Sequence, residues 1–200
     1  MTLEETIKIV NGIETWDDPF NLKELLPYNL TGYDYEKRPV WMVDAGKLDF
    51  PSLAKKGQEA WATLEVFTVQ AFLRAMKSTA ALDSSSDEIR EGLFVYDMET
   101  FRMEQLNHLQ VLAEILRIVQ KYNDLSLQLV GGIIILNSNY ATQVAVSLVR
   151  PLVGRLMEKV EIYGNNRNIW LPRLLKHFSV DILPPQYGGS TNFKPLAEYG

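Results

Sequence analysis

The sequence predicts an α/β fold, in which a largely parallel β-sheet is flanked by helices. Two patterns lead to this expectation. Short apolar runs alternate along the chain with longer segments that carry apolar residues at helical spacing. One run, residues 133–136, is uninterrupted, which is typical of a strand buried on both faces of a parallel sheet. With 200 residues, 46% of them hydrophobic, the chain can bury a sizeable core in one domain.

The first half of the chain predicts two helices and one strand. Residues 4–10 predict a short helix that ends at an Asn-Gly pair, and residues 27–34 are rich in turn residues. Residues 39–45 predict the first strand, because valine and tryptophan favour extended backbone. Residues 58–77 predict a helix from the spacing of their large apolar side chains. The serine-rich run 83–87 predicts a solvated connection.

The second half continues the alternation of strands and helices. Residues 93–96 predict a second strand, and residues 103–122 predict a long amphipathic helix with its leucines on one face. After the strand at 133–136, turn residues lead to Thr142, which we expect to cap the next helix. The remaining predicted elements are a fourth strand at residues 159–163 and a final helix at residues 169–178.

The helix predicted between Thr142 and Val153 has an unusually wide apolar face. Its apolar residues spread over more than half of the helical wheel, and only Gln143, Ser147 and Arg150 occupy the remainder. A surface helix needs an apolar stripe about 100° wide. Two interpretations follow. The helix is either wedged between the sheet and another helix, or it forms one wall of an apolar cavity that a ligand fills.

The sequence shows no recognisable catalytic or metal centre. It has no cysteine and two histidines, His108 and His177, which lie far apart on separate predicted helices. Neither a Gly-x-Ser-x-Gly elbow nor a metal-binding His-Glu-x-x-His motif is present. Gly131-Gly132 precedes a strand, so it lacks the context of a dinucleotide or phosphate loop. We therefore expect neither an enzyme nor a bound metal or cofactor.

The charge of the chain is unevenly distributed. The net charge of −5 argues against a nucleic-acid partner. Residues 150–176 contain six basic and two acidic side chains, a local charge of +4, so the remainder carries −9. This basic segment is either a solvated face or a contact with an anionic membrane surface. The absence of cysteine, of a secretory signal and of an apolar run near 20 residues predicts a cytoplasmic location.

Several short motifs resemble one protein family in their order along residues 27–190. They are Gly32-Tyr33-Asp34 with Arg38-Pro39-Val40, Leu93-Phe94-Val95-Tyr96-Asp97 with Glu99 and Phe101, Ile134-Ile135-Leu136-Asn137, Val149-Arg150-Pro151-Leu152, Tyr163-Gly164-Asn165-Asn166, Ile182-Leu183-Pro184 and Tyr187-Gly188-Gly189. On these motifs the chain resembles the CRAL-TRIO lipid-binding family. The resemblance implies that residues 27–190 form the lipid-binding domain. Residues 1–26 are then a helical remnant or linker, and residues 191–200 a tail. Because the family's preceding helical segment is nearly absent, the resemblance suggests a piece of a longer protein.

The family's scheme implies a function for this domain. One hydrophobic ligand is held in a pocket between the sheet and the helices, and the helix after the Asn137 turn is a mobile gate through which the ligand exchanges with membranes. We expect a monomer that binds membranes transiently. An alternative is a protein-interaction module of the same fold, which binds a small GTPase or a scaffold and transfers no lipid.

Candidate pocket residues come from the predicted helices, strands and gate. They are Phe72, Met76, Tyr96, Leu116, Ile118, Tyr122, Ile133, Ile135, Val144, Leu148, Val149 and Leu152. Ile133 and Ile135 must face the same side of the sheet, because strand side chains alternate. Arg155 and Lys159 occupy positions similar to those of basic residues that contact phosphoinositide headgroups in the tocopherol-transfer branch of the family.

The gate helix bears on the identity of the lipid. Phosphatidylinositol-binding members usually carry polar and basic residues at two gate positions, and here those positions hold Val144 and Ser147. The resemblance therefore favours an apolar ligand such as a retinoid, tocopherol, sterol or carotenoid, with phosphatidylinositol less favoured.

Overall fold

A six-stranded mixed sheet forms the centre of the fold. The structure is a computed structural model that describes residues 3–82 and 89–200, so the connection predicted at residues 83–87 lies outside the described residues. The strand order is β5-β4-β3-β2-β1-β6. The strands are β1 (Tyr28–Tyr33), β2 (Pro39–Asp44), β3 (Gly92–Asp97), β4 (Val130–Leu136), β5 (Val160–Ile162) and β6 (Ala197–Tyr199).

Strands β2 to β5 pair in parallel, and the other two pairings are antiparallel. β1 runs antiparallel to β2, and β6 runs antiparallel to β1. The described helices are α1 (Leu3–Glu14), α2 (Leu22–Leu25), α3 (Phe50–Lys55), α4 (Gln58–Ala80), α5 (Leu109–Lys121), α6 (Asn123–Leu129), α7 (Tyr140–Val153) and α8 (Arg167–His177). The predicted α/β class, with helices flanking a sheet, is confirmed.

The two faces of the sheet differ in how they are filled. On β4, Ile134 and Leu136 face α8 and pack in a cluster with the fully buried Leu174 and Phe178. Ile133 and Ile135 face the opposite side, toward α4, α5 and α7. The alternation of a strand therefore separates a solidly packed face from the face that carries the candidate site.

Two strands at one side of the sheet, β1 and the edge strand β6, differ from the prediction. β1 has the turn residues Asn29, Thr31 and Gly32, but its backbone pairs with both β2 and β6. Gly32 fits there because a Cβ at this position would lie 2.4 Å from Ile182 Cγ2. β6 falls within the expected tail, and its Ala197 pairs with Leu30. Both segments become strands because they pair with strands elsewhere in the sheet, and no local sequence pattern indicates this pairing.

The expected linker and the long predicted helix also differ from the prediction. Leu22 and Leu26 are buried in the core with Trp41, so this part of the expected linker belongs to the folded unit. The helix predicted at residues 103–122 is divided into a 3-10 helix (Met103–Leu106) and α5. The 3-10 turn is held because Gln105 Nε2 donates to the carbonyl oxygens of Ala45 (2.8 Å) and Leu48 (2.9 Å).

Candidate ligand cavity

An apolar cavity of about 430 Å³ lies between the sheet and helices α4, α5 and α7. Phe94 and Tyr96 of β3 and Ile133 and Ile135 of β4 form its floor. These side chains are neighbours across the strands, since Phe94 is in register with Ile133 and Tyr96 with Ile135. A volume of this size is within the range of small-molecule sites in proteins, about 300–1,000 Å³.

Helix α7 contributes one wall of the cavity through residues spaced three and four apart. The wall residues along its cavity side are Thr142, Ala145, Val146, Leu148, Val149 and Val153. The polar residues Gln143, Ser147 and Arg150 are exposed. The wide apolar face of α7 thus lines the cavity and also packs against neighbouring elements, namely α5 and the 3-10 helix Gly154–Lys159.

Helix α5 forms the opposite part of the wall. Its sequence is strongly amphipathic: Leu112, Ile115, Leu116 and Val119 border the cavity at intervals of three and four residues. This spacing places one apolar stripe on the inner face of a helix.

Nine of the twelve predicted pocket residues border the cavity. They are Phe72, Tyr96, Leu116, Ile118, Tyr122, Ile133, Ile135, Leu148 and Val149. Their position is established, and their role in ligand binding stays a prediction.

The other three predicted residues lie outside the cavity lining. Met76 is one helical turn beyond Phe72 on α4, where it is 43% exposed. Val144 packs into the buried cluster that contains Ala141. Leu152 packs into the cluster of Val130, Val153 and Leu156. For Val144 and Leu152, helical spacing alone did not separate the cavity side from its flanks, because the apolar face of α7 is wider than the cavity. For Met76, it did not show where along α4 the cavity ends.

Several lining residues were not predicted. Leu112, Ile115 and Val119 could have been found from the helical spacing of α5. Leu48 and Phe50 could not, because they come from the loop after β2 and the start of α3, where no periodic pattern exists.

Polar side chains on the cavity wall are engaged within the protein, with one exception. Those with internal partners are Thr68, Gln105, Tyr122, Ser126 and Thr142. The Tyr96 hydroxyl has no hydrogen-bond partner among the residues that the structure describes. Burial raises the pKa of the Tyr96 phenol, so this group stays protonated at neutral pH.

The two long helices of the wall are joined by an ionic cluster. The Glu65 carboxylate on α4 accepts hydrogen bonds from Arg117 and Lys121 on α5, and from the Tyr122 hydroxyl at 2.8 Å. Lys121, Arg117 and Tyr122, in this order of effect, lower the pKa of Glu65 to about 2. On the cavity side of this cluster, the ring of Tyr122 contacts Phe72, with their centroids 5.7 Å apart.

The two ends of α7 are held differently. At its start, Asn139 Oδ1 accepts from the Thr142 backbone N–H, and Thr142 Oγ1 accepts from the Asn139 N–H, both at 3.1 Å. The cap is therefore Asn139 rather than the predicted Thr142, which is the second half of a capping box. Asn139 Nδ2 also donates to the carbonyl oxygens of Met98 and Phe101, each at 2.9 Å. At its end, Gly154 has φ 46° and ψ −112°, a conformation that favours glycine.

The two predicted membrane residues differ in their surroundings. Arg155 is exposed and has no hydrogen-bond or ion-pair partner in the described part of the chain. Lys159 Nζ instead donates to the carbonyl oxygens of Val130 (2.6 Å) and Leu127 (3.1 Å) and to Glu91 Oε1 (2.9 Å). The Lys159 ammonium group thus caps the end of α6 with its three donors engaged inside the protein, and its membrane contact stays a prediction.

Two kinds of feature are missing from residues 3–82 and 89–200. None of the helices there is both long and apolar enough to cross a bilayer. The same residues contain no cluster of three or more His, Cys, Asp or Glu side chains that could hold a metal ion.

Comparison with known proteins gives a structural relative and a family for this fold. The crystal structure of Sfh5 superposes on the chain with a TM-score of 0.62 at 13% sequence identity, covering 96% of this chain and 63% of Sfh5. The chain thus spans under two thirds of that protein, and the likeness at this identity concerns the fold. The family model of the CRAL/TRIO domain matches residues 24–189. The family predicted from the motifs is confirmed: the chain belongs to the CRAL/TRIO family of lipid-binding and lipid-transfer domains.

Proposed function

We propose that this domain binds one small hydrophobic lipid in the cavity between the sheet and α7 and exchanges it with membranes. The unfilled apolar volume beneath α7 is the observation that carries the proposal. A solid core would place side chains in contact there, because protein interiors are packed about as densely as organic crystals. The proposal involves no chemical step on the lipid.

The energetics favour a lipid as the guest. Burial of apolar surface is worth about 25 cal/mol per Å², so a guest that hides about 400 Å² from water gains about 10 kcal/mol. A bilayer offers a similarly apolar surrounding. Exchange between membrane and protein is then nearly balanced in free energy, and opening of the cavity limits its rate.

Helix α7 is the element that we propose to open. Its start is tied to the loop after β3 through Asn139, while its end stops at Gly154, and Pro151 interrupts the last turn. A proline removes one N–H from the helical ladder. The C-terminal half of α7 can therefore separate from α5 more easily than the N-terminal half. Arg155, which follows directly, would meet the anionic lipid surface when the helix opens.

The lining also bears on the class of lipid. The described residues that line the cavity include no lysine, arginine, aspartate, glutamate or histidine. A charged headgroup such as that of phosphatidylinositol would have no partner inside. A retinoid, tocopherol, sterol or carotenoid carries no charge and therefore matches this uncharged, mostly apolar lining better.

Native mass spectrometry of protein purified without detergent tests the proposal. We expect a monomer that carries one additional apolar molecule, and we expect delipidated protein to take up diphenylhexatriene, an apolar dye whose fluorescence rises outside water. Protein that carries no lipid and binds no dye would contradict the proposal. The alternative of a protein-interaction module would then be favoured.

A further inference from the structure

The Tyr96 hydroxyl is the one polar side-chain group on the cavity wall that lacks a partner among the described residues. The β3 register sets its direction. Val95 and Asp97 point to the other face, where Val95 packs in the α8 cluster and Asp97 accepts a hydrogen bond from Tyr187. Phe94 and Tyr96 point to the cavity.

The remaining polar wall groups are occupied by bonds within the protein. Thr68 Oγ1 donates to the Leu64 carbonyl at 2.8 Å, and Ser126 Oγ to the Tyr122 carbonyl at 2.9 Å. The Tyr122 hydroxyl, which is chemically identical to that of Tyr96, donates to Glu65. Among the described residues, a guest in the cavity would thus find one hydroxyl without a partner on a wall that is otherwise apolar or occupied.

Tyr96 also lies toward one end of the cavity. It packs against the buried cluster that includes Met98, Phe101 and Ala141, near the start of α7. Val149, Val153 and Leu156 belong to a different cluster, near the end of α7. Among the described residues, the unpartnered hydroxyl therefore lies near the α7 N-terminal end of the cavity, whereas the polar groups of Tyr122 and Ser126 elsewhere on the wall already have partners.

We infer that Tyr96 is a specificity residue, which selects a lipid with one neutral hydrogen-bonding group, such as a hydroxyl or carbonyl, over a pure hydrocarbon. This inference rests on the proposed function, because it requires that the cavity holds a guest. A phenol hydroxyl can donate to a carbonyl oxygen and accept from an alcohol. A hydrocarbon guest would instead bury the hydroxyl without a partner, which is unfavourable.

Competition between matched probes tests the inference. Diphenylhexatriene, which carries no polar group, is first bound to delipidated protein. It is then displaced by 1-hexadecanol or by hexadecane, two flexible chains of equal length that differ in a terminal hydroxyl. We expect the alcohol to be the stronger competitor by about 5- to 10-fold, the value of one hydrogen bond in a buried site.

The Tyr96→Phe variant removes the hydroxyl and keeps the ring. Its preference for the alcohol over the hydrocarbon should fall to about parity, and the loss should be confined to the alcohol. Tyr35→Phe is the matched control, because Tyr35 is 65% exposed and lies outside the cavity lining. This control should keep the full preference.

The outcomes separate the two proposals. If the dye does not bind, the cavity takes no apolar guest and the proposed function fails. If the dye binds but the alcohol has no advantage, or Tyr96→Phe keeps that advantage, the role of Tyr96 is overturned while lipid binding stands.

Discussion

At the scale of single residues, Leu148 offers the most direct test of the cavity. It borders the cavity from α7 and is 37% exposed, so a larger side chain can be accommodated without displacing the core. Leu148→Trp should extend into the cavity and weaken binding of diphenylhexatriene by about 10-fold or more, since overpacking costs about 1–3 kcal/mol. Dye titration measures this effect.

Leu109→Trp is the matched control for this change. Leu109 is 76% exposed at the start of α5 and does not line the cavity. Its variant should bind the dye as the wild type does. Equal binding by both tryptophan variants would contradict the assignment of α7 as a cavity wall.

Arg155 and Lys159 have opposite expected roles, although both are basic and close in sequence. Arg155→Gln should leave the free energy of unfolding unchanged and weaken binding to phosphatidylserine vesicles by about 5-fold, because one basic residue near an anionic surface is worth about 1 kcal/mol. Lys159→Met should lower the free energy of unfolding by about 1–3 kcal/mol, since it removes charge-assisted hydrogen bonds to Leu127, Val130 and Glu91.

Vesicle co-sedimentation and urea unfolding measure the two effects separately. A Lys159→Met variant that keeps its stability but binds vesicles more weakly would contradict the structural role expected for Lys159 and support its membrane contact.

At the scale of elements, the end of α7 depends on the backbone of Gly154. A Cβ there would meet no atom within 4 Å, so only the conformation, φ 46° and ψ −112°, disfavours a side chain. Gly154→Ala should lower the free energy of unfolding by about 1–3 kcal/mol. Chemical unfolding of the variant and the wild type gives this difference.

Gly12→Ala is the control for the same substitution. Gly12 lies in α1, where a Cβ would likewise meet no atom within 4 Å, and its backbone is helical. Alanine is the better helix former, so stability should hold or rise by about 0.5–1 kcal/mol. Similar losses in both variants would show that the conformation of Gly154 is not the cause.

The contact between α4 and α5 should depend on pH through Glu65. The folded pKa of about 2 lies below the ordinary value of 4.5, so the carboxylate stabilises the fold above pH 4.5, and this contribution is lost as pH falls toward 2. Glu65→Gln should cost about 1–2 kcal/mol at pH 7, less than the full shift implies, because Arg117 and Lys121 are about half exposed.

Unfolding curves at several pH values provide the measurement. The difference between wild type and Glu65→Gln should shrink from pH 5 to pH 2. A difference that stayed constant with pH would rule out the ionic cluster as its source.

At the scale of the whole molecule, the sheet has one solid face and one hollow face. Leu174 on α8 is fully buried on the solid face, whereas Leu116 on α5 borders the cavity. Leu174→Ala should lower the free energy of unfolding by about 2–5 kcal/mol. Leu116→Ala should cost less in delipidated protein, because its side chain already lacks neighbours on one side.

Urea unfolding of the delipidated variants compares the two faces. An equal cost at both positions would indicate that the space beneath α7 closes in solution. The wild type should also gain stability when an apolar guest is added, because a ligand that binds the folded state shifts unfolding by mass action.

The sequence alone was sufficient for features that depend on local patterns. The alternation in β4 placed Ile133 and Ile135 together, and the spacing on α5 and α7 indicated their inner stripes. The order of short motifs identified the family. The first two signals are repeated within a few residues of the chain, because hydrophobic periodicity follows the geometry of one element. The motif order can be read from the sequence because each motif is a short contiguous segment.

Tertiary structure decided whatever depends on elements that converge from distant parts of the chain. Lys159 reaches the carbonyl groups of Leu127 on α6 and Val130 on β4. Met76 lies beyond the end of the cavity, and β6 pairs with β1 across most of the sequence. Tertiary structure likewise decided that the Tyr96 hydroxyl has no hydrogen-bond partner in the part of the chain that the structure describes. An unfilled volume, and the absence of a partner within it, result from how several surfaces fit together, and no single segment contains that information.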